Sequence, residues 1–265
     1  MQEKITSLQN SRIKFLSSLQ EKSRIRKKER KFLVEGLREI SLAIKGGFQL
    51  SEIYFCDDII SLEDLKNNNL ISYNPTTISK EVYQKLAYRS STEGVLAVFQ
   101  SKDLKIYDLN ISKPDPLILI AQSIEKPGNL GALLRTADAA NVDAVIIADP
   151  LTDMYNPNLI RSSVGCIFTN TVVTDSSENI ISYLKEHRIN IYGAALQASV
   201  DYHTIDYTSS SAIVVGTEAT GLSDIWLNAS TKNIKIPMQG DIDSMNVSVA
   251  AGILIFEAKR QRNFL

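Results

Sequence analysis

Cysteine, histidine and long apolar runs are scarce in this chain, and each scarcity excludes something. Two cysteines, Cys56 and Cys166, are too few and too far apart for a disulfide framework or a thiolate metal site. That usage fits a reducing compartment, so cytoplasmic residence is expected and no metal is. No run of eighteen apolar residues exists, which leaves no candidate membrane span. The first residues, MQEKITSLQNSRIK, lack the apolar core of a secretory signal. Net charge is −1, so the chain as a whole does not advertise nucleic acid. What is present is an ordinary globular mixture, 44% hydrophobic and 22% charged over 265 residues. That length can bury one large core or two modest ones.

The charge is unevenly spread. Residues 22–31 read KSRIRKKERK, in which seven of ten are Lys or Arg. Arg26, Lys27, Lys28, Arg30 and Lys31 form a block able to neutralise phosphates and release counterions. A solvated helix face is the alternative for a lone basic run. A second basic group, Lys259, Arg260 and Arg262, strengthens the nucleic-acid reading.

The pattern predicts an α/β protein in two parts. Up to residue 105, short apolar runs at 32–34, 53–56 and 94–99 alternate with helix-like segments at 37–45 and 79–87. Between 106 and 116 apolar density falls, and Pro114 and Pro116 mark a linker. From 117 to 265 the alternation is regular: apolar strands at 117–121, 144–148, 171–173, 189–196, 212–216 and around Ile234, with helices between and after them. Apolar strands alternating with helices imply a parallel sheet covered on both faces. Ligands of such sheets bind at the carboxyl ends of the strands.

Three stretches in the second part carry candidate chemistry. After the first strand comes Asn129-Leu130-Gly131, then Arg135-Thr136-Ala137. Asn129 and Arg135 lie on nearly opposite sides if one regular helix holds both, and face a common cleft if Asn129 is still in the loop. An arginine among Leu, Ala and Thr reads as a buried guanidinium, which needs an anion or several acceptors. Asp138 or Glu125 as a structural ion-pair partner is the alternative. After the strand at 212–216 comes Gly216-Thr217-Glu218-Ala219-Thr220-Gly221-Leu222-Ser223, whose two glycines allow a close approach of backbone to ligand. Near the end, Ile236-Pro237-Met238 stops a strand, and Ser244-Met245-Asn246 opens a helix from Val247 to Ala258. That helix is apolar nearly all round and so must be buried against a sheet or a partner chain.

Taken together and in this order, N-x-G-x-x-x-R-T-A, G-T-E-x-x-G-L-S and I-P-M with S-M-N-V-S-V-A resemble the three signature motifs of the SpoU-type RNA 2′-O-ribose methyltransferases of the SPOUT superfamily. FLVEG at 32–36 and EGVLAV at 93–98 are similar to that family's ribosomal-protein-like substrate-binding domain. Thr217, Ala219 and Met245 depart from the family's usual Ser, Gly and Leu, each a small or volume-conserving change. The resemblance implies a parallel α/β domain with a trefoil-knotted site for S-adenosylmethionine. It places Gly216, Thr217, Gly221, Ile236, Met238, Ser244 and Met245 at the cofactor. It also implies a homodimer packed through the final helix. The G-x-G-x-G loop of Rossmann-type methyltransferases is absent, as this family would have it.

A ribose 2′-OH is a weak nucleophile that must be positioned and helped to lose its proton. Neither His187 nor His203 stands in a motif. The resemblance puts Arg135, Asn129, Glu218 and Asn246 at the chemistry, with Arg135 anchoring ribose and phosphate, since arginine is hard to deprotonate. Ribosomal RNA is the expected substrate by analogy. A transfer RNA methyltransferase, a non-catalytic RNA-binding protein and an α/β enzyme of small metabolites are the alternatives. Neither the RNA nor the nucleotide is named by the sequence.

Overall fold

A computed structural model of the chain describes residues 4–88, 93–197, 199–217, 219–241 and 244–264. It forms two compact units, one holding the chain up to Asp103 together with Asp153–Thr169, the other Leu104–Thr152 and the chain from Asn170 on.

The first unit begins with α1 (Ser11–Glu21) and α2 (Ser23–Glu29), then β1 (Lys31–Glu35), α3 (Leu37–Lys45), β2 (Leu50–Phe55), α4 (Leu62–Asn67), β3 (Thr76–Thr77), α5 (Lys80–Leu86) and β4 (Val95–Gln100). Its four strands lie in the order β1-β4-β2-β3, with β4 antiparallel to both neighbours. Alternation along the strands divides the core. Leu33, Tyr54, Leu96 and Val98 meet Ile13, Leu16 and Leu19 of α1 and Val82 and Leu86 of α5. On the other side Phe32 stacks on Phe99 and Phe168 and lies 4.3 Å from the Tyr155 ring.

The chain continues as β5 (Leu117–Gln122), α6 (Pro127–Ala140) and β6 (Ala144–Ala148), then α7 (Pro157–Ser162) and α8 (Cys166–Thr169). Chain order puts residues 153–169 in the second domain, but they pack with the first unit. Tyr155 explains part of this: its hydroxyl accepts from Lys102 N at 3.0 Å and donates to Lys102 O at 3.1 Å. Burial pushes that phenol up to about 12, so it stays protonated and able to donate. Gly46 permits the contact with α8, because a Cβ there would meet Phe168 O at 2.1 Å.

The second unit is completed by β7 (Val172–Asp175), α9 (Ser177–Glu186), β8 (Asn190–Ala194), β9 (Val200–Asp201), β10 (Ser211–Val215), α10 (Asp224–Ala229), β11 (Lys232–Lys235) and α11 (Val247–Gln261). Its seven strands run in the order β7-β6-β5-β10-β8-β11-β9, every pairing parallel. One face buries Ile118, Ile120, Ile146 and Val214 against α9 and α10, with Trp226 at the centre. On the other face α11 lies against β5 and β10, with α6 packed beside it. The expected parallel sheet with both faces covered is therefore observed. No helix among the described residues is long and apolar enough to cross a membrane.

Candidate active site

The carboxyl ends of β8, β10 and β11, three adjacent strands, open into one cavity of about 350 Å³ roofed by α11. Such volumes are typical of small-molecule sites. Gly216, Thr217, Gly221, Ile236, Met238, Ser244 and Met245, seven residues from two separate sequence motifs, all line it. A third loop, Ala194–Gln197 after β8, lines it as well and is missed by sequence reasoning. The only signal for it is its position at the carboxyl end of a strand beside β10.

The loop after β10 folds back on itself. Thr217 N donates to Gly221 O at 3.1 Å and Gly221 N to Thr217 O at 3.0 Å. Thr220 N donates to Thr217 Oγ1 at 3.1 Å. Gly216 is also closely approached by this loop: a Cβ there would meet Gly221 O at 2.2 Å. Gly221 is needed for its φ of +68°, and its side-chain position faces open space. Gln122, at the end of β5, anchors the far side. Its Nε2 donates to Ser223 Oγ at 2.6 Å and its Oε1 accepts from Ser223 N at 3.0 Å.

Asn246 caps α11, with Oδ1 accepting from Ser248 N at 3.0 Å. Its Nδ2 donates to Asn129 Oδ1 at 3.3 Å, tying the first motif to the third across 117 residues. Asn129 stands in the first turn of α6 and lines a second cavity of about 360 Å³ with Glu125 and Lys126. This cavity shares Thr217, Ala219, Thr220 and Val247 with the first. The motif-two loop thus forms a wall common to both.

Arg135 lies elsewhere. Both Asn129 and Arg135 are inside α6, so six residues separate them by roughly 9 Å of rise and most of a half-turn. The buried guanidinium inferred from its apolar neighbours is not found: Arg135 is exposed while Leu133, Leu134 and Ala137 face the core. Apolar neighbours at i−1 and i−2 say nothing about the face a helical residue presents. Glu218, the fourth expected catalytic residue, lies outside the described residues.

The basic run is divided in the same way. Lys27 and Lys28 are exposed, Arg30 pairs with Asp103 at 2.9 Å in solvent, and Lys31 lies 3.9 Å from Glu52. Arg26, expected with them at RNA, is only 4% exposed. Its Nε donates to Asp153 Oδ2 at 2.7 Å, and its Nη1 donates to Leu19 O at 2.6 Å and Gln20 O at 3.0 Å. Those carbonyls end α1 and have no helical partner of their own. The second basic group is not an open patch either. Lys259 is buried, Arg260 forks onto Glu257 at 2.8 Å, and Arg262 donates to Tyr207 O, Ser209 O and Asp115 O. The Arg260 pairing holds the Glu257 carboxyl at about 2.

Comparison with known proteins agrees with this geometry. Residues 116–256, more than half of the chain, match the SpoU rRNA Methylase family. Residues 10–97 match the MRM3-like substrate binding domain. The 23S rRNA (guanosine(2553)-2′-O)-methyltransferase of Bacillus subtilis (strain 168) is 29% identical over 96% of this chain and 98% of its own. A crystal structure of an RNA 2′-O ribose methyltransferase, 36% identical, superposes with a TM-score of 0.84 over 98% of this chain and 100% of the other. An AdoMet-bound rRNA methyltransferase from Sinorhizobium meliloti, 25% identical, gives 0.88 over 97% of each. With its motifs gathered at the ends of parallel strands and these matches across both halves, the chain belongs to the SpoU rRNA methylase family.

Proposed function

We propose that this protein transfers a methyl group from S-adenosylmethionine to a ribose 2′-OH of ribosomal RNA, and that the acceptor is a guanosine, as the name of its Bacillus subtilis relative states for that enzyme. The observation that carries the reading is the convergence of seven motif residues on one cavity at the strand ends, beside a second that Asn129 lines. The first cavity suits the cofactor. Ile236, Met238, Met245 and Leu254 offer apolar walls, and the threonine hydroxyls and loop backbone offer a few polar groups. When bound, S-adenosylmethionine supplies an already activated sulfonium methyl, so the protein's own task is to place and deprotonate the acceptor. The second cavity receives the acceptor nucleoside. Asn129, held by Asn246, orients its ribose, and Glu218 takes part in the same chemistry, as the family resemblance implies. Arg135, from the exposed face of α6, anchors RNA phosphate rather than reaching the reacting atoms.

Lys27, Lys28, Arg30 and Lys31 supply phosphate contacts from the first unit. The second unit carries the trefoil knot that the family resemblance implies. The enzyme acts in the cytoplasm as a homodimer through α11, whose outer face shows Val249 (53% exposed) and Phe256 (42%). Val249→Glu tests this by light scattering, with monomer expected and an unchanged assembly counting against it. Leu254 is buried within its own chain, so Leu254→Glu would report folding instead. Calorimetric titration with S-adenosylmethionine tests the function. Saturable binding is expected, and no heat with no thermal shift would favour a non-catalytic RNA-binding protein.

A further inference from the structure

We infer that Glu125 reads the Watson–Crick edge of the acceptor base and makes this enzyme specific for guanosine. The inference rests on the methyl-transfer reading above and adds the residue that selects the base. Glu125 lines the second cavity together with Asn129, so a ribose held at Asn129 has its base within the same enclosure. Its backbone is fixed from two sides. Thr152 Oγ1 donates to Glu125 O at 2.6 Å, and Pro127 restricts the intervening Lys126, which is extended at φ −79° and ψ 117°. The Glu125 side chain is exposed, and no described residue donates to its carboxylate. Ile124 and Val247, buried to within 3% and 6%, supply apolar walls for the flat face of a base.

The chemistry of an ionised carboxylate selects among the four bases. It has two acceptor oxygens and no donor. Guanine alone offers two adjacent donors, N1–H and the N2 amino group, that both oxygens can take at once. Adenine and cytosine each present an amino donor beside a ring-nitrogen acceptor, so the second oxygen faces a lone pair. Uracil presents one N–H between two carbonyls. Glu125 therefore attracts one base and repels the others, which is how specificity is built. Glu125 lines the second cavity and not the first, so its role is separable from cofactor binding.

The test uses full-length protein, ribosomal RNA from cells lacking it, and S-adenosylmethionine carrying a tritiated methyl. Wild type is expected to place label in 2′-O-methylguanosine. Once the labelled position is mapped, transcripts carrying guanosine or adenosine there are compared for kcat/KM. Wild type should prefer guanosine by roughly 10- to 100-fold, the range of a bidentate contact. In Glu125→Gln one oxygen becomes a donor, so adenine's amino group and N1 are matched as well as guanine's N1–H and O6, and the preference should collapse. Its melting temperature and cofactor affinity should remain those of wild type. Glu125→Ala should lose the preference without gaining adenosine. Label in another 2′-O-methylnucleoside, or an unchanged guanosine preference in Glu125→Gln, overturns the role of Glu125 and leaves the activity standing. No label from wild type overturns the activity and this inference together.

Discussion

On α2, Lys27 and Lys28 stand in solvent, whereas at the end of α11 Lys259 is buried and Arg262, just past the helix, gives its guanidinium to three backbone carbonyls. Both regions read as basic clusters. The α2 cluster is itself mixed, since Arg26 points inward to Asp153 and the end of α1. The difference teaches that a cation's use is set by what it faces. A guanidinium offered unpaired backbone carbonyls or a buried carboxylate holds the fold together. One offered only water remains available to phosphate.

The comparison can be broken first at Arg26. Arg26→Ala leaves Asp153, 11% exposed, without its partner and uncaps α1. Loss of one member of a buried pair costs about 3–5 kcal/mol, so a large fall in melting temperature is expected. A change no greater than that of a surface substitution would show that Arg26 belongs with its solvated neighbours. Arg262→Ala is the next largest. It removes a charged donor from three carbonyls and should cost about 2 kcal/mol, read from the midpoint of denaturant unfolding. Replacing Lys27, Lys28, Arg30 and Lys31 by Gln should leave stability within about 0.5 kcal/mol of wild type. The exposed pair Arg30–Asp103 is too solvated to matter more. The effect of that replacement belongs to RNA: the slope of log affinity against log salt should fall by about 0.7 for each phosphate no longer neutralised. An unaltered slope would reduce the run to a solvated surface.

Much of the second unit is legible in the sequence because a parallel sheet buried on both faces writes itself as continuous apolar runs. The helix at 127–140 and the strand at 144–148 lie where Pro127 and the turn before Ala144 put them. The final helix begins where Asn246 caps it. The residues expected at the cofactor come through the family resemblance, and their gathering in one cavity follows from strand order. The failures share a cause. Sequence neighbours misplace Arg26 and Arg135, whose surroundings are set by helix phase and by partners far along the chain, Asp153 for the one and solvent for the other. Residues 153–169 read as part of the second domain because chain order is visible and the aromatic cluster of Phe32, Tyr155 and Phe168 is not. The β8 loop carries no unusual residue, so only its place beside β10 reveals it.

The central claim is that the paired cavities at the strand ends bring a sulfonium methyl to a ribose hydroxyl. Single-turnover transfer of labelled methyl from S-adenosylmethionine to ribosomal RNA, by wild type and by Asn129→Ala, tests it most directly. The account predicts alkali-resistant label in a 2′-O-methylnucleoside for wild type and a loss of at least about tenfold in rate for Asn129→Ala, with cofactor affinity retained. Label confined to a methylated base, or an Asn129→Ala enzyme as fast as wild type, would contradict it.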